Sequence, residues 1–498
     1  MAGPSILSVD QGTTSTRAVV FDAKGAAIAT AQQPFRQIFP RDGWVEHDPE
    51  EIWATTLNVC RQAVEAAGGI ASIKAIGITN QRETAVAWDK RTHKAVGNAI
   101  VWQDRRGAAR CAGLRAEGKE PLIQKKTGLL VDSYFSATKI EWILAQSDEV
   151  RAAARAGHLA FGTIDTFLLW RLTGGKSHAT DASNASRTML FDIRKGAWDD
   201  ELLELFGVPR AMMPEVRDTA STFGSTDPAP FGAAIPITAL VGDQQGALVG
   251  QACFEPGCVK STYGTGCFVL VNTGTRALVS QHRMLTTVAY RLNGATTYAL
   301  EGSIFNAGTV VQWLRDGIQM IESAAESEAL AASLGDAGTQ VTFVPAFTGL
   351  GAPHWDPSAR GAIMGLTRDS GRAEIVRAAL ESVCFQTNDL LAALQQDGIA
   401  RPPALRVDGG MAANTWLMQM LADITGLTVE RPAYRETTVL GAAFLAGLGA
   451  GIFTSLDDIK AAWRLDFSAQ PHMAPARRAQ MLTRWNAAVG RVLTPPRA

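Results

Sequence analysis

The chain has 498 residues, a formal net charge of −1 and 46% hydrophobic content, long enough for two domains or more, each with its own core. No basic excess is available to follow a nucleic-acid backbone, and no apolar span is long enough to cross a bilayer. The N-terminal Met1-Ala2-Gly3-Pro4 runs straight into a strand-like segment, and the six cysteines contain no C-x-x-C pair, so a reducing, cytoplasmic setting is expected.

In chain order, two apolar runs at 6–9 and 18–21 flank Asp10-Gln11-Gly12-Thr13-Thr14-Ser15-Thr16-Arg17. The pattern predicts a hairpin, with a third strand over 26–31. Glycine lets backbone approach a ligand, and amide and hydroxyl donors suit phosphate oxygens. Asp10 is placed to hold a Mg²⁺ ion through its waters. An ordinary solvated turn has the same composition. A helix is predicted over 50–67, then a buried strand over 73–78 ending in Thr79-Asn80-Gln81-Arg82-Glu83-Thr84. Ligands of open α/β sheets bind beyond such strand ends. Glu83 accepts from hydroxyls and Arg82 donates to them, so the pair can grip a small polyol; it can equally be a surface ion pair. Trp102, Tyr134 and Phe268 suit an apolar wall around such a ligand, or simply a core.

Residues 178–187 read as a polar loop. A strand over 235–241 leads into Gly242-Asp243-Gln244-Gln245-Gly246, with a helix expected from Ala247. Asp243 fits two roles, a turn residue capping that helix or the group that takes a proton from an acceptor hydroxyl. A second glycine-and-hydroxyl turn, Gly264-Thr265-Gly266, echoes the first at the start of the chain's other half and suggests an internal duplication. Further on come a helix over 374–394, a strand over 405–408 with a glycine turn at 409–410, and a helix near 414–425. Met481, Trp485, Val489 and Val492 share one face of a C-terminal helix expected to dock on the body. Strands alternating with helices throughout mean α/β layers with mixed sheets.

Phosphoryl transfer needs phosphate donors, a cation site, a group to accept a proton and a pocket for the acceptor. The stretches 10–17, 80–84, 101–106, 134–139, 181–188, 242–251, 261–268, 345–355 and 407–414 occur in the order of the FGGY carbohydrate kinases, which the chain resembles along nearly its whole length, and within them the members acting on glycerol. The resemblance implies two ribonuclease H/actin-like domains of mixed sheets flanked by helices. Residues 1–246 would bind polyol and phosphate and 247–498 the nucleotide, with the active site in the interdomain cleft. It also implies ATP-dependent phosphorylation of glycerol to sn-glycerol 3-phosphate with Mg²⁺, in a homodimer or homotetramer that binds no nucleic acid and does not insert in membranes.

Matched position by position, the acceptor contacts fall to Arg82, Glu83, Tyr134, Asp243 and Gln244, with Trp102 and Phe268 as walls and Asp243 as general base. Nucleotide contacts fall to Thr13, Thr14, Ser15, Arg17, Thr265, Gly308, Gln312, Gly410 and Asn414, and Mg²⁺ to Asp10 and Asp243. A kinase of a longer polyol or ketose is the nearest rival, and an actin- or chaperone-like ATPase a more distant one. One departure concerns control. Some bacterial members of the family are inhibited by fructose bisphosphate at an arginine-bearing loop, whereas the corresponding stretch 227–234 has no Arg or Lys. That inhibition is expected to be weak or absent.

Overall fold

The computed structural model describes residues 3–494. Strands β1 (Ser5–Gln11), β2 (Ser15–Asp22) and β3 (Ala27–Pro34) form the expected antiparallel meander, in which Asp10 lies opposite Arg17. Helix α1 (Pro49–Ala66) starts where the Asp48 carboxylate accepts from the Glu50 N–H, and it buries Ile52, Val59 and Ala63 on the meander. On its other side β1 pairs in parallel with Ile73–Asn80, which pairs in parallel with Pro236–Gly242, and Ala220–Ser225 closes the edge antiparallel.

The second sheet repeats this plan. Val259–Tyr263 and Cys267–Gly274 form a hairpin, Ala295–Ile304 continues it antiparallel, and Leu285–Leu292 adds an outer strand. On the other side Ala404–Asp408 and Thr428–Pro432 are parallel additions, and Leu465–Ala469 closes the edge antiparallel. The likeness of the two turns thus extends to the connectivity of both sheets.

Two helices join the halves. Asp243–Gly250 leaves the last parallel strand of the first sheet and Thr437–Gly449 the equivalent strand of the second. They cross at glycines: a methyl group on Gly441 would overlap the Gly246 carbonyl oxygen, and one on Gly250 the Thr437 carbonyl oxygen. Thr437–Gly449 also lies on the first sheet, where Ser8 Oγ donates to the Val439 carbonyl at 2.7 Å and Thr238 Oγ1 to that of Ala446 at 2.8 Å. Ile6, Val241, Leu248, Val439 and Leu445 share one buried cluster, so apolar core is continuous between the two sheets.

Two local expectations are revised. The helix expected from Ala247 begins at Asp243, because Gly242 in extended conformation ends the strand and serves as N-cap; it runs across position 246/247. Asp243 is therefore not the residue capping that helix. The stretch 178–187 is not a loop: the buried strand Ala179–Asp181 pairs with Glu215–Arg217, and Ala182–Ala185 forms a buried helical turn. Its polar residues satisfy one another, as where Asp181 accepts from the Ser183 and Asn184 N–H groups. The C-terminal helix, Pro475–Val492, does bury Met481, Trp485 and Val489, with Trp485 stacked on Phe385. Among the described residues, no helix is long and apolar enough to cross a membrane.

Candidate active site

The strand Ile73–Asn80 carries Arg82 and Glu83 just past its end, and both are buried, at 2% and 1% exposure. A surface ion pair is therefore ruled out. Glu83 has φ of +61°, a costly conformation for a residue with a side chain. Ser136 Oγ holds it by donating to the Glu83 carbonyl at 2.9 Å. Arg187 Nε donates to Glu83 Oε1 at 2.6 Å, which leaves the other carboxylate oxygen as an acceptor. Arg82 is clamped from three sides: Nε faces Asp243 Oδ1 at 3.1 Å, both terminal nitrogens bond Glu301, and Nη2 donates to Tyr134 Oη at 3.3 Å. Because the phenol oxygen accepts there, its own proton stays free to donate. Trp102 stands edge-on to Tyr134 at 5.6 Å and to Phe268 at 6.1 Å, and the Arg82 guanidinium lies 5.8 Å from the Phe268 ring. Gln244 Oε1 accepts from Lys260 Nζ at 2.5 Å. All the acceptor residues read from the sequence are thus brought together.

Asp243 has one oxygen engaged and one without a hydrogen bond among the described residues. Oδ1 accepts from the Gln244 N–H at 2.6 Å and faces Arg82. The side chain is 29% exposed. Desolvation raises its pKa, against the pull of Arg82 and Lys260, which makes the carboxylate a better proton acceptor. Asp10 is pushed up to about 7 by desolvation, opposed by Arg17 and reinforced by the like charges of Asp243 and Glu436. Two carboxylates that repel in this way suit a divalent cation which brings its own waters and phosphate oxygens. No cluster of three or more His, Cys, Asp or Glu able to cage a bare metal occurs among the described residues.

The first turn spends its hydroxyls unevenly. Thr14 is exposed at the tip, Thr13 Oγ1 accepts from Trp102 Nε1 at 2.9 Å, and Ser15 Oγ accepts from Gln32 Nε2 at 2.8 Å. Thr16 turns inward to Thr55 at 3.1 Å, which removes it from any ligand. Arg17 pairs with Glu436 and Gln32, so a phosphate would have to compete for its guanidinium.

Thr265, Gly308, Gln312, Gly410 and Asn414 all line one pocket of about 490 Å³ in the second half. Gly308 N–H donates to the Gly264 carbonyl at 2.9 Å, and a side chain there would sit 2.5 Å from that oxygen. Asn414 Oδ1 accepts from the Leu417 N–H at 2.8 Å as a helix cap, which fixes the side chain and leaves its amide NH₂ free to donate to a ligand.

Sequence reasoning missed Glu301, Arg187 and Lys260 as parts of the site. The only sequence signal for Glu301 was a lone acid in an otherwise uncharged strand; its 0% exposure in the structure is what demands a charged partner. Arg187 and Lys260 lie in polar stretches where a basic residue is unremarkable.

Residues 5–250 match the N-terminal domain, and residues 259–450 the C-terminal domain, of the FGGY family of carbohydrate kinases. The chain is 60% identical to the glycerol kinase of Rhodospirillum centenum, over 98% of both chains. It is 59% identical to glycerol kinase 1 of Pseudomonas aeruginosa, again over 98% of both. Among solved structures, Plasmodium falciparum glycerol kinase with ADP superposes with a TM-score of 0.91 at 38% identity, over 99% of each chain. A xylulose kinase from Lactobacillus acidophilus, with a TM-score of 0.87 over 98% of this chain and 97% of that one, shares the fold at 22% identity. With both domain matches in order and the acceptor cluster between the two sheets, the chain belongs to the FGGY family of carbohydrate kinases.

Proposed function

We propose that the protein transfers the γ-phosphoryl group of ATP to a terminal hydroxyl of glycerol, giving sn-glycerol 3-phosphate. The observation that carries this reading is the acceptor pocket. Arg82, Glu83, Tyr134 and Asp243 gather donors and acceptors for a small polyol, and Trp102 and Phe268 close the space around few carbons. The full-length relatives at 60% and 59% identity carry the name glycerol kinase, which supports the same acceptor. Residues 1–246 hold the acceptor and the first phosphate turn, and 247–498 the nucleotide pocket and the second.

In this reading Glu83 and Arg82 grip vicinal hydroxyls, and Tyr134 donates to a third oxygen. The reacting hydroxyl lies on Asp243, whose unbonded oxygen takes the proton as the bond to phosphorus forms, while the bridge to ADP breaks. In a loose transition state proton transfer is late, so position matters more than basicity. Asp10 and Asp243 would hold Mg²⁺, which when bound neutralises phosphate charge. Arg17 exchanges Glu436 for phosphate oxygens. Closure about the glycine-lined helix crossing would exclude water, the competing acceptor. We place the enzyme in the cytoplasm as a homodimer or homotetramer.

A substrate panel tests the reading. Phosphorylation of glycerol at far higher kcat/KM than of xylulose or gluconate is expected; preference for a sugar would transfer the protein to the rival kinases. ATP turnover indifferent to glycerol would instead favour the partner-driving ATPase. Gly308→Ala is expected to raise the KM for ATP about tenfold, because a close backbone approach is lost, while the KM for glycerol stays near its wild-type value. Control by fructose bisphosphate should be weak. Around 227–234 the nearby basic groups are already engaged: Arg61 donates to the Pro230 carbonyl at 2.9 Å and Lys176 lies 3.7 Å from Asp227. Strong inhibition mapped to this stretch would overturn that expectation.

A further inference from the structure

We infer that Trp102 is a positioning residue for the donor phosphate, besides forming a wall of the acceptor pocket. Its indole N–H holds the Thr13 hydroxyl in the orientation that presents its proton to a phosphate oxygen. The inference rests on the kinase reading above. Trp102 Nε1 lies 2.9 Å from Thr13 Oγ1. An indole nitrogen can only donate, so Thr13 must accept, and the single hydroxyl proton of Thr13 is thereby directed away from the indole. A threonine without this neighbour rotates its proton freely and loses that freedom on binding, which costs entropy.

The same tryptophan is tied to the phosphate turn at its other end. Trp102 N–H donates to Thr84 Oγ1 at 3.2 Å, and Thr84 Oγ1 donates to Gln81 Oε1 at 2.9 Å. Gln81 Nε2 then donates to the Gly12 carbonyl at 3.1 Å. The Thr13 carbonyl is fixed independently by Gln37 Nε2 at 3.0 Å. On its faces and edges the indole meets Tyr134 from the acceptor side and Phe268 from the second hairpin. One side chain therefore touches the acceptor wall, the first phosphate turn and the second half of the molecule. Acceptor seated against the indole restrains the group that orients Thr13, so acceptor and donor sites are linked.

The test is a double-mutant cycle with Trp102→Phe, which keeps an aromatic wall but removes the N–H, and Thr13→Val, which removes the hydroxyl. Affinity for a non-hydrolysable ATP analogue, measured without acceptor, reads the link whatever the acceptor proves to be. Each single variant is expected to weaken analogue binding about five- to tenfold, the effect of one hydrogen bond, and the double variant no more than either alone. Thr13→Ser should restore the wild-type value. Glycerol should tighten analogue binding in the wild type and do so less in Trp102→Phe. Additive losses in the double variant, or unchanged analogue affinity in Trp102→Phe, would overturn the inference. A wild-type enzyme that binds the analogue but does not phosphorylate glycerol would instead overturn the proposed function and leave the cycle readable.

Discussion

Replacing Asp243 by asparagine is expected to lower kcat for glycerol about 10²–10⁴-fold, the range a positioned proton acceptor contributes, while glycerol affinity stays within a few-fold of wild type. The asymmetry comes from the two carboxylate oxygens. Oδ1 accepts from the Gln244 N–H at 2.6 Å and faces the Arg82 Nε at 3.1 Å, and an asparagine oxygen can keep the first bond and stay beside the guanidinium. The other position becomes an NH₂ group, which cannot take a proton and presents hydrogens to the incoming hydroxyl. The charge removed is also one of the two proposed to hold Mg²⁺, so saturating Mg²⁺ and ATP are needed to read the proton-accepting role alone. Single-turnover kinetics with saturating ATP, paired with calorimetric glycerol titration, separate the two effects. A near-normal rate would remove Asp243 from the proton-accepting role.

Much of this site was legible because each part lies at a strand end with a distinct local composition. The turn at 10–17, the Arg82-Glu83 pair and Gly242-Asp243 all follow apolar runs, and position beyond a strand's carboxyl end says where chemistry gathers. The duplicated plan of the sheets was also visible, in outline, from two similar turns. What escaped were contacts made across the halves. Glu301 is separated from Arg82 by 219 residues, and no local pattern specifies that pairing. The stretch 178–187 misled for a related reason. Its polar residues looked solvated, whereas Asp181, Asn184 and Arg187 find their partners inside the fold. The helix start at Asp243 was misplaced because Gly242-Asp243-Gln244-Gln245-Gly246 has the composition of a turn, while Gly246 serves the close crossing with Thr437–Gly449. Likewise, hydroxyl count did not reveal hydroxyl direction: Thr16 belongs to the same run as Thr13 and faces the core.

Glu301 carries the other large effect. Glu301→Ala should destabilise the protein by about 3–5 kcal/mol, the usual result of breaking a buried ion pair from one side, and should abolish measurable glycerol saturation. The carboxylate is fully buried on a strand of the second sheet, yet its partners, Arg82 and Arg187, belong to the first half. Those two guanidiniums hold it lowered to about 2 against the effect of burial, so it stays charged throughout the working range. Without it, two buried cations remain with only Glu83 and Asp243 to share. Arg82 would then close on Asp243 and Arg187 on Glu83, occupying the oxygens the acceptor needs. Glu301→Gln keeps the shape and one acceptor oxygen, so it should lose less stability than Glu301→Ala while still raising the glycerol KM by tenfold or more. Nucleotide-analogue affinity should be nearly unchanged in both, because the 490 Å³ pocket is built from other elements. Chemical denaturation alongside steady-state kinetics distinguishes this from a purely structural role, in which Glu301→Gln would lower stability and leave the glycerol KM alone. The expected pattern follows from where the acid comes from: the second half of the chain supplies the charge that shapes the first half's pocket, so the acceptor site exists only when the two halves are packed together.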